Sequence, residues 1–542
     1  MANALTRNTA ATKVARTTTP VSRRTPGRTD EVVNSTGGYV FAVNDKSRLE
    51  RFLIIGTDGG SYYASEKSLT DKNIKFVVDL IKRDEALVRE TVVDVSDNAR
   101  ALKNSPALFT VAALLVYGQD KAAAKEAVAK VARTSTHLFE FAEFIENLGG
   151  WGRSKKAAVA AWYTDKTPEA LAYQVVKYRQ RNGWTHRDLF RLSHPKGVDS
   201  RIGNFVLKGE VIPGEGDVLD GFRQMQASQS VKDVVKTLES NKNLPWETIP
   251  TQFLKDAEVW KTLFANGQLN GQALIRNIAR LARVGAFKDM VFTADVAARL
   301  TDAEAIKRAR LHPINFVNAA VVFEFGAYDR KEKNNGWYYS PQRVKNWETN
   351  SKILAALNDG FGLAFGAVEP SNKRTLVGVD VSGSMSAAAS TGTDLTAAQV
   401  AAVMAMVIVR TEPYADIRGF ADRFVNLNIG ASDSLATVMR KVQKHNFGST
   451  DMSLPMEYAR QNKIDVDTFA VFTDNEINHG YKPTQALTRY RNERGLESRL
   501  AVFGVSATDF TIADPTDRGQ MDFVGFDASA PKVFAEFSAG RL

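Results

Sequence analysis

Two stretches of this chain put small polar and carboxylate side chains at the ends of apolar runs. "VGVDVSGSMS", residues 377–386, breaks from a run of strand length into Asp380, Ser382 and Ser384. "FTDNE", residues 472–476, breaks from another into Asp474. Between them "FGSTDMSLPM" carries Thr450 in a loop ahead of a helix-like segment. Three hydroxyls and two carboxylates form an all-oxygen, hard donor set. Such a set suits Mg²⁺ or Ca²⁺ rather than zinc, and Mg²⁺ is the expected ion. Hydrolytic readings fit less well. A phosphotransferase of the Asp-x-Asp kind needs Asp where Ser382 stands, and a nucleophile elbow needs Gly-x-Ser-x-Gly, which neither Ser382 nor Ser384 has. His445 and His479 form no triad pattern. Attack by metal-bound water stays open, but no general base declares itself, and the chain reads as non-catalytic.

The elements that must hold these residues follow from the patterning. After about residue 370, "TLVGVDV", "AAQVAAVMAMVIVR", "DIRGFAD", "LATVMRKVQKH", "TFAVFTD", "TQALTRYRNER" and "LAVFGVS" alternate strand-like and helix-like runs. That alternation predicts a doubly wound α/β domain over residues 371–542, with ligands beyond the carboxyl ends of its strands. From about 70 to 365 apolar residues recur at helical spacing and Gly, Pro or Asn close most segments. Many helices with short links suggest helix pairs stacked in a solenoid over residues 30–370, although no clean repeat period stands out. Residues 38–66 read as extended, in "YVFAV", "FLIIG" and "SYYAS". Residues 1–29 hold six basic residues and no acid, and read as a flexible basic arm, with a transit peptide as the rival.

A second group of chemistry-bearing residues lies in "TPEALAYQVVKYRQRNGWTHRDLFRLSHPK", residues 167–196. Thr167 and Pro168 start a helix, Asn182-Gly183 is expected to end it, and Thr185 with Asp188 starts the next. Between residues 177 and 196, Lys177, Arg179, Arg181, Arg187, Arg191 and Lys196 stand against Asp188 alone. Lys177 and Arg181 are four apart, Arg187, Arg191 and His194 form a stripe, and Leu189, Phe190 and Leu192 face the other way. This concentration fits phosphate contacts, with His186 and Trp184 available to stack on or hydrogen-bond unpaired bases. A solvated basic face, with Trp184 in the core, fits the same spacing. His137 and His312 read as packing residues.

The totals bound these readings. The net charge of +10 is uneven: residues 371–542 hold 18 Lys/Arg against 20 Asp/Glu, whereas residues 1–370 hold 53 against 41. A basic first part suggests a polyanionic partner, or simply a soluble basic protein. Cysteine is absent, which excludes disulfides, thiol catalysis and Cys-ligated metals. No membrane span or secretory leader is evident, and a cytoplasmic location is expected.

Asp380-x-Ser382-x-Ser384, then Thr450, then Asp474, resembles the metal-ion-dependent adhesion site of von Willebrand factor A domains. The resemblance implies that Ser382, Ser384 and Thr450 ligate the metal, that Asp380 and Asp474 act directly or through water, and that a partner oxygen completes the shell. More broadly, "DEVVNSTGGYVFAV", "RFLIIGTDGGSYYASE", "KYRQRNGWTHRDLFRLSHPK", "ALIRNIARL", "RLHPINF", "GSTDMSLPM" and "FTDNE" resemble signatures of the Ro 60 kDa autoantigen family, from about residue 25 to the C-terminus. The resemblance implies a closed ring of HEAT-like helical repeats, the TROVE module, carrying a von Willebrand A domain. It implies Y-like small noncoding RNA on the basic outer surface, with Lys177, Arg181 and His186 foremost and Arg179, Arg187 and Arg191 in support. It further implies single-stranded 3′ ends of misfolded RNA in the central hole, polynucleotide phosphorylase as a tethered partner, and a monomeric ring. Ser449 departs from the pattern, which has Gly before the metal-site Thr. A metal-dependent protein-binding adaptor is the alternative function.

Overall fold

A computed structural model describes residues 19–57, 66–214, 217–328, 343–387, 389, 395–445 and 448–542. Helices dominate from Asp45–Ile55 to Ser351–Leu363. Their starts are written locally. The side chains of Asn44, Asp84, Asp120, Thr134, Thr167, Asp217 and Asp302 each accept a backbone N–H three residues on. Helix Ser135–Asn147 buries Leu138, Phe139, Phe141, Ala142 and Ile145, one stripe at helical spacing. Ser105–Tyr117 is buried nearly all round because helices cover it on several sides. Successive packing carries the array onward: Lys121–Val131 lies on Arg153–Thr164, that helix on His186–Ser193, and that one on Ser200–Lys208. The later helices end with Pro313–Phe325 against Ser351–Leu363. The array then meets its own beginning, where Arg310 pairs with Asp97 at 2.7 Å. Among the described residues no helix is long and apolar enough to cross a membrane.

The C-terminal part is built on a six-stranded sheet. Its order is Gln520–Val524, Arg499–Gly504, Thr468–Thr473, Thr375–Asp380, Ala415–Phe420, Phe424–Asn426, with the first five parallel and the last antiparallel. Strand residues alternate between two cores. Val377, Val379, Ala470, Phe472, Ala501 and Phe503 face the core shared with helix Ala397–Thr411 and the helical array. Leu376, Phe469, Val471, Leu500 and Val502 face a second core under helices Leu454–Gln461 and Pro483–Arg494. Burial on both faces explains why these strands read as continuous apolar runs. The helical array and the α/β domain expected from the sequence are both present.

Two expectations need correction. "FLIIG" is not extended: Phe52–Ile55 end a buried helix, since a short apolar run does not by itself separate buried helix from strand. ("SYYAS" lies outside the described residues.) The basic segment is not wholly a free arm. Residues 1–18 lie outside the described residues, but from Thr19 the chain is docked on the C-terminal domain. Thr19 N–H donates to Gln485, Pro20 bridges Tyr481, Val21 is buried, and Arg28 pairs with Asp514. The N-terminal strands also pack on the C-terminal part. The antiparallel strands Glu31–Val33 and Tyr39–Ala42 join Phe510–Thr511 in one small sheet, and Val21 and Val40 sit in the second core. Behind them, the fully buried Arg51 guanidinium donates to the carbonyls of Thr508 and Phe510 at 3.0 and 2.7 Å and pairs with Asp522.

Candidate functional sites

The parallel sheet brings the predicted cation ligands to one edge. Val379 lies beside Phe472 in register, so the two central strands end together, Asp380 closing one and Asp474 following the other. Asp380, Ser382, Ser384, Thr450 and Asp474 are all buried. The Ser382 backbone N–H donates to Asp380 Oδ1 at 2.9 Å, which folds the loop back over its own strand end. Ser382 and Ser384 hydroxyls lie 3.1 Å apart, and the Ser384 hydroxyl is turned to Asp474. Thr450 is held on both sides of its peptide, its N–H donating to Asn478 Oδ1 at 3.0 Å and its carbonyl accepting from His479 N–H at 3.1 Å. Ser449 is half-buried and leaves that arrangement intact.

The electrostatics fit a bound cation. Burial pushes the Asp380 carboxyl up, and the neighbouring Asp474 adds to the rise; burial pushes Asp474 up as well. Among the described residues no ion pair reaches either carboxylate. Glu476 is buried beside them, pushed up to about 7 by burial, and its Oε2 has no hydrogen-bond partner. Two desolvated carboxylates with no positive partner, and an orphaned carboxylate oxygen next to them, are the surroundings a divalent cation would relieve. Among the described residues no three His, Cys, Asp or Glu side chains are arranged to hold a metal ion by themselves; the donors here are mainly hydroxyls. Sequence reasoning missed Thr473, whose hydroxyl donates to Asp380 Oδ2 at 2.8 Å. Its place as the last strand residue before Asp474 was the available signal.

The basic segment folds differently from the expectation. Helix Pro168–Lys177 stops before the arginines, and Gln180–Arg181 pairs with Trp184–Thr185 in a two-residue hairpin. Asn182 and Gly183 form its turn at φ of 52° and 77°, the left-handed geometry that Asn-Gly supplies. Lys177 and Arg181 thus do not share a helix face. The capping box from Thr185 to Asp188 is present and starts helix His186–Ser193.

Arg179, Arg181, Arg187 and Arg191 are exposed. Arg179 also lies over the rings of Phe205 and Phe222. Lys177 is half-buried, bonded to Tyr173 Oη at 3.2 Å and 3.7 Å from Glu247. Burial pulls its pKa down, yet Tyr173, Glu247 and Tyr178 together leave it raised. His186 is not on the surface. Its Nδ1 is 2.8 Å from Tyr163 Oη, its ring packs on Phe139, and burial drives its pKa down to about 3. The spacing gave a signal for this: His186, Leu189 and Phe190 stand at i, i+3 and i+4 on the buried face. Trp184 is half-buried against Trp151, with ring centroids 5.5 Å apart. His312 is buried as a packing residue, its ring bonded to the Phe526 carbonyl at 3.0 Å.

Family models match both parts of the chain: the TROVE domain at residues 32–237 and 236–336, and the Ro60 vWA domain at residues 374–538. The chain belongs to the Ro60 family. Its relatives include RNA-binding protein RO60 of Deinococcus radiodurans, 39% identical over 541 residues that cover 96% of this chain and 98% of that protein. RNA-binding protein RO60 of Caenorhabditis elegans is 30% identical over 598 residues, covering 94% of this chain and 90% of that one. The crystal structure of the Deinococcus radiodurans RO (RSR) protein matches with a TM-score of 0.65 at 36% identity, covering 92% of this chain and all of that one. The TROVE match spans the basic hairpin–helix segment, and the vWA match spans the C-terminal oxygen cluster.

Proposed function

We propose that this protein is a non-catalytic RNA-binding ring. It holds a Y-like small noncoding RNA on the outward basic face and takes single-stranded 3′ ends of misfolded RNA through the centre of the ring. The observation that carries the reading is the exposed quartet Arg179, Arg181, Arg187 and Arg191 on the hairpin and following helix of a TROVE domain. None of the four is in an ion pair among the described residues, so each is available to a phosphate. Lys177 is held by Tyr173 and Glu247, and His186 is packed in the core against Phe139 and Tyr163. The same reading places the protein in the cytoplasm as a monomer, in noncoding RNA quality control, with polynucleotide phosphorylase as the exonuclease tethered through the RNA.

Crosslinking in the host followed by sequencing of the attached RNA tests it. One abundant small structured RNA is the expected result. Absence of RNA above background would overturn the reading.

A second reading rests on the buried Asp380–Asp474 pair. With a divalent cation held by Ser382, Ser384 and Thr450 and by the two carboxylates, the C-terminal domain serves as a metal-dependent protein-binding adaptor. The cation, Mg²⁺ by donor type, supplies a Lewis-acidic position for a partner's oxygen. Ser382→Ala and EDTA are both expected to abolish capture of such a partner. Capture indifferent to both would sink this second reading.

A further inference from the structure

The loop that carries Asp474 is gripped by a part of the chain more than four hundred residues away in sequence. Asn34 is buried at the turn between Glu31–Val33 and Tyr39–Ala42. Its Oδ1 accepts the N–H groups of Thr36 and Gly38 at 3.1 and 2.7 Å, which folds the turn. Its Nδ2 then donates outward to the Ile477 carbonyl at 2.9 Å, and the Thr36 hydroxyl donates to the same oxygen at 3.0 Å. Gly38 makes the approach possible, since a Cβ there would stand 2.1 Å from Ile477 O. One carbonyl therefore receives two side-chain donors from the N-terminal turn, and no side chain at Gly38 holds the two backbones apart.

What that grip controls is the geometry of two predicted ligands. The Glu476 N–H donates to Asp474 Oδ1 at 3.0 Å, so the residue just before Ile477 orients the carboxylate. Just after it, Asn478 and His479 hold the Thr450 peptide from both sides. Asn475, between Asp474 and Glu476, is buried at φ of 65°, a strained setting that neighbours must enforce. Ser35 and Thr36 of the turn face the buried Glu476 carboxylate.

We infer that the turn Asn34–Gly38 is a positioning element for the cation site. By fixing the Ile477 carbonyl it holds Asp474 and Thr450 in place relative to each other, and so makes cation affinity in the C-terminal domain depend on the N-terminal strands. The inference rests on the metal-site reading of Asp380, Ser382, Ser384, Thr450 and Asp474. Partners outside the ligand shell commonly change metal affinity by about 10–100-fold.

The test titrates the full chain with Mg²⁺, and separately Mn²⁺, by calorimetry well below the melting temperature. Asn34→Ala and Thr36→Val are compared with Arg28→Ala, which loosens the same N-terminal segment at its Asp514 anchor, away from Ile477. Ser382→Ala serves as the ligand control. Asn34→Ala is expected to weaken binding at least tenfold and Thr36→Val less. Arg28→Ala should lower thermal stability in EDTA while changing affinity under twofold. Wild-type affinity in Asn34→Ala, with binding lost in Ser382→Ala, overturns the positioning inference and leaves the metal site standing. Equal loss in Asn34→Ala and Arg28→Ala also overturns it, as general loosening. No binding of either ion by the unaltered protein overturns both.

Discussion

The exposed arginine quartet makes a quantitative prediction about salt. Each phosphate neutralised by an unpaired cation releases counterions, so the slope of log K against log[salt] is about −0.7 to −0.9 per contact. Four contacts give a slope of roughly −2.8 to −3.6 and a loss of roughly 50–150-fold in affinity between 50 and 200 mM salt. The structure says which side chains carry it. Arg179, Arg181, Arg187 and Arg191 are exposed, whereas Lys177 is held by Tyr173 and Glu247. Replacing each arginine with Gln should lower the slope by about one, and the quadruple variant should remove nearly all of this face's share. Lys177→Ala should change the slope by less than any single arginine. His186→Ala should lower the melting temperature with the slope unchanged, because its ring sits in the core. Fluorescence anisotropy with the small structured RNA recovered from the host reads all of these. A quadruple variant with the unaltered protein's slope would refute the reasoning, as would Lys177→Ala or His186→Ala flattening the slope as much as Arg181→Gln does.

Other outcomes follow from buried groups. Arg51→Ala leaves Asp522 buried without its partner and strands two carbonyls, so it should destabilise the protein by about 3–5 kcal/mol, read as a lower urea midpoint. Mg²⁺ should raise the melting temperature, by the equivalent of about 2.7 kcal/mol at a hundred times Kd; Ser382→Ala should lose that shift, and an unchanged shift would count against the site. His312 is buried and neutral, its pKa pushed from 6.5 to about 4 by burial. The unfolded chain takes up that proton first as pH falls, so the stability His312 contributes is full above about pH 6.5 and is lost toward about pH 4. In His312→Asn the stability–pH curve should be flatter over that window than in the unaltered protein, and an identical curve would reject the assignment.

The parts legible in sequence were those written locally. Asp380, Ser382 and Ser384 stand at the end of a run buried on both faces, and Asp474 follows another, so the strand ends and the oxygen cluster gathered there came from one pattern. Thr185 and Asp188 announced their helix start because a capping box spans only four residues. What escaped was set by distant packing. Phe52–Ile55 end a helix whose Arg51 finds its acceptors on the C-terminal domain, far along the chain. Val21 is buried under residues near 480, which no pattern around Val21 can show. Asn182-Gly183 carries the same letters for a helix end or a hairpin turn, and the pairing of Gln180 with Thr185 decides between them.

The closure of the helical circle has a consequence for biosynthesis. His312 begins a helix only a short way past Arg310, which meets Asp97, yet both neighbourhoods are tied through the loop Phe526–Ala528. His312 bonds the Phe526 carbonyl, Arg100 pairs with Asp527, and Ala528 N–H donates to the Arg100 carbonyl. Phe526 follows His312 by 214 residues, which at about 5–20 residues per second is roughly 10–40 s of translation. During that interval Arg310 and Asp97 are both made, but an exposed pair of this kind contributes little, and the Phe526–Ala528 contacts are still missing. The N-terminal strands wait longer, since Thr19 and its partner Gln485 are 466 residues apart. A nascent chain thus presents an unpaired hairpin edge and an unlocked arc before the last domain emerges. The order of synthesis, and not the stability of any single helix, sets when the circle becomes a closed body.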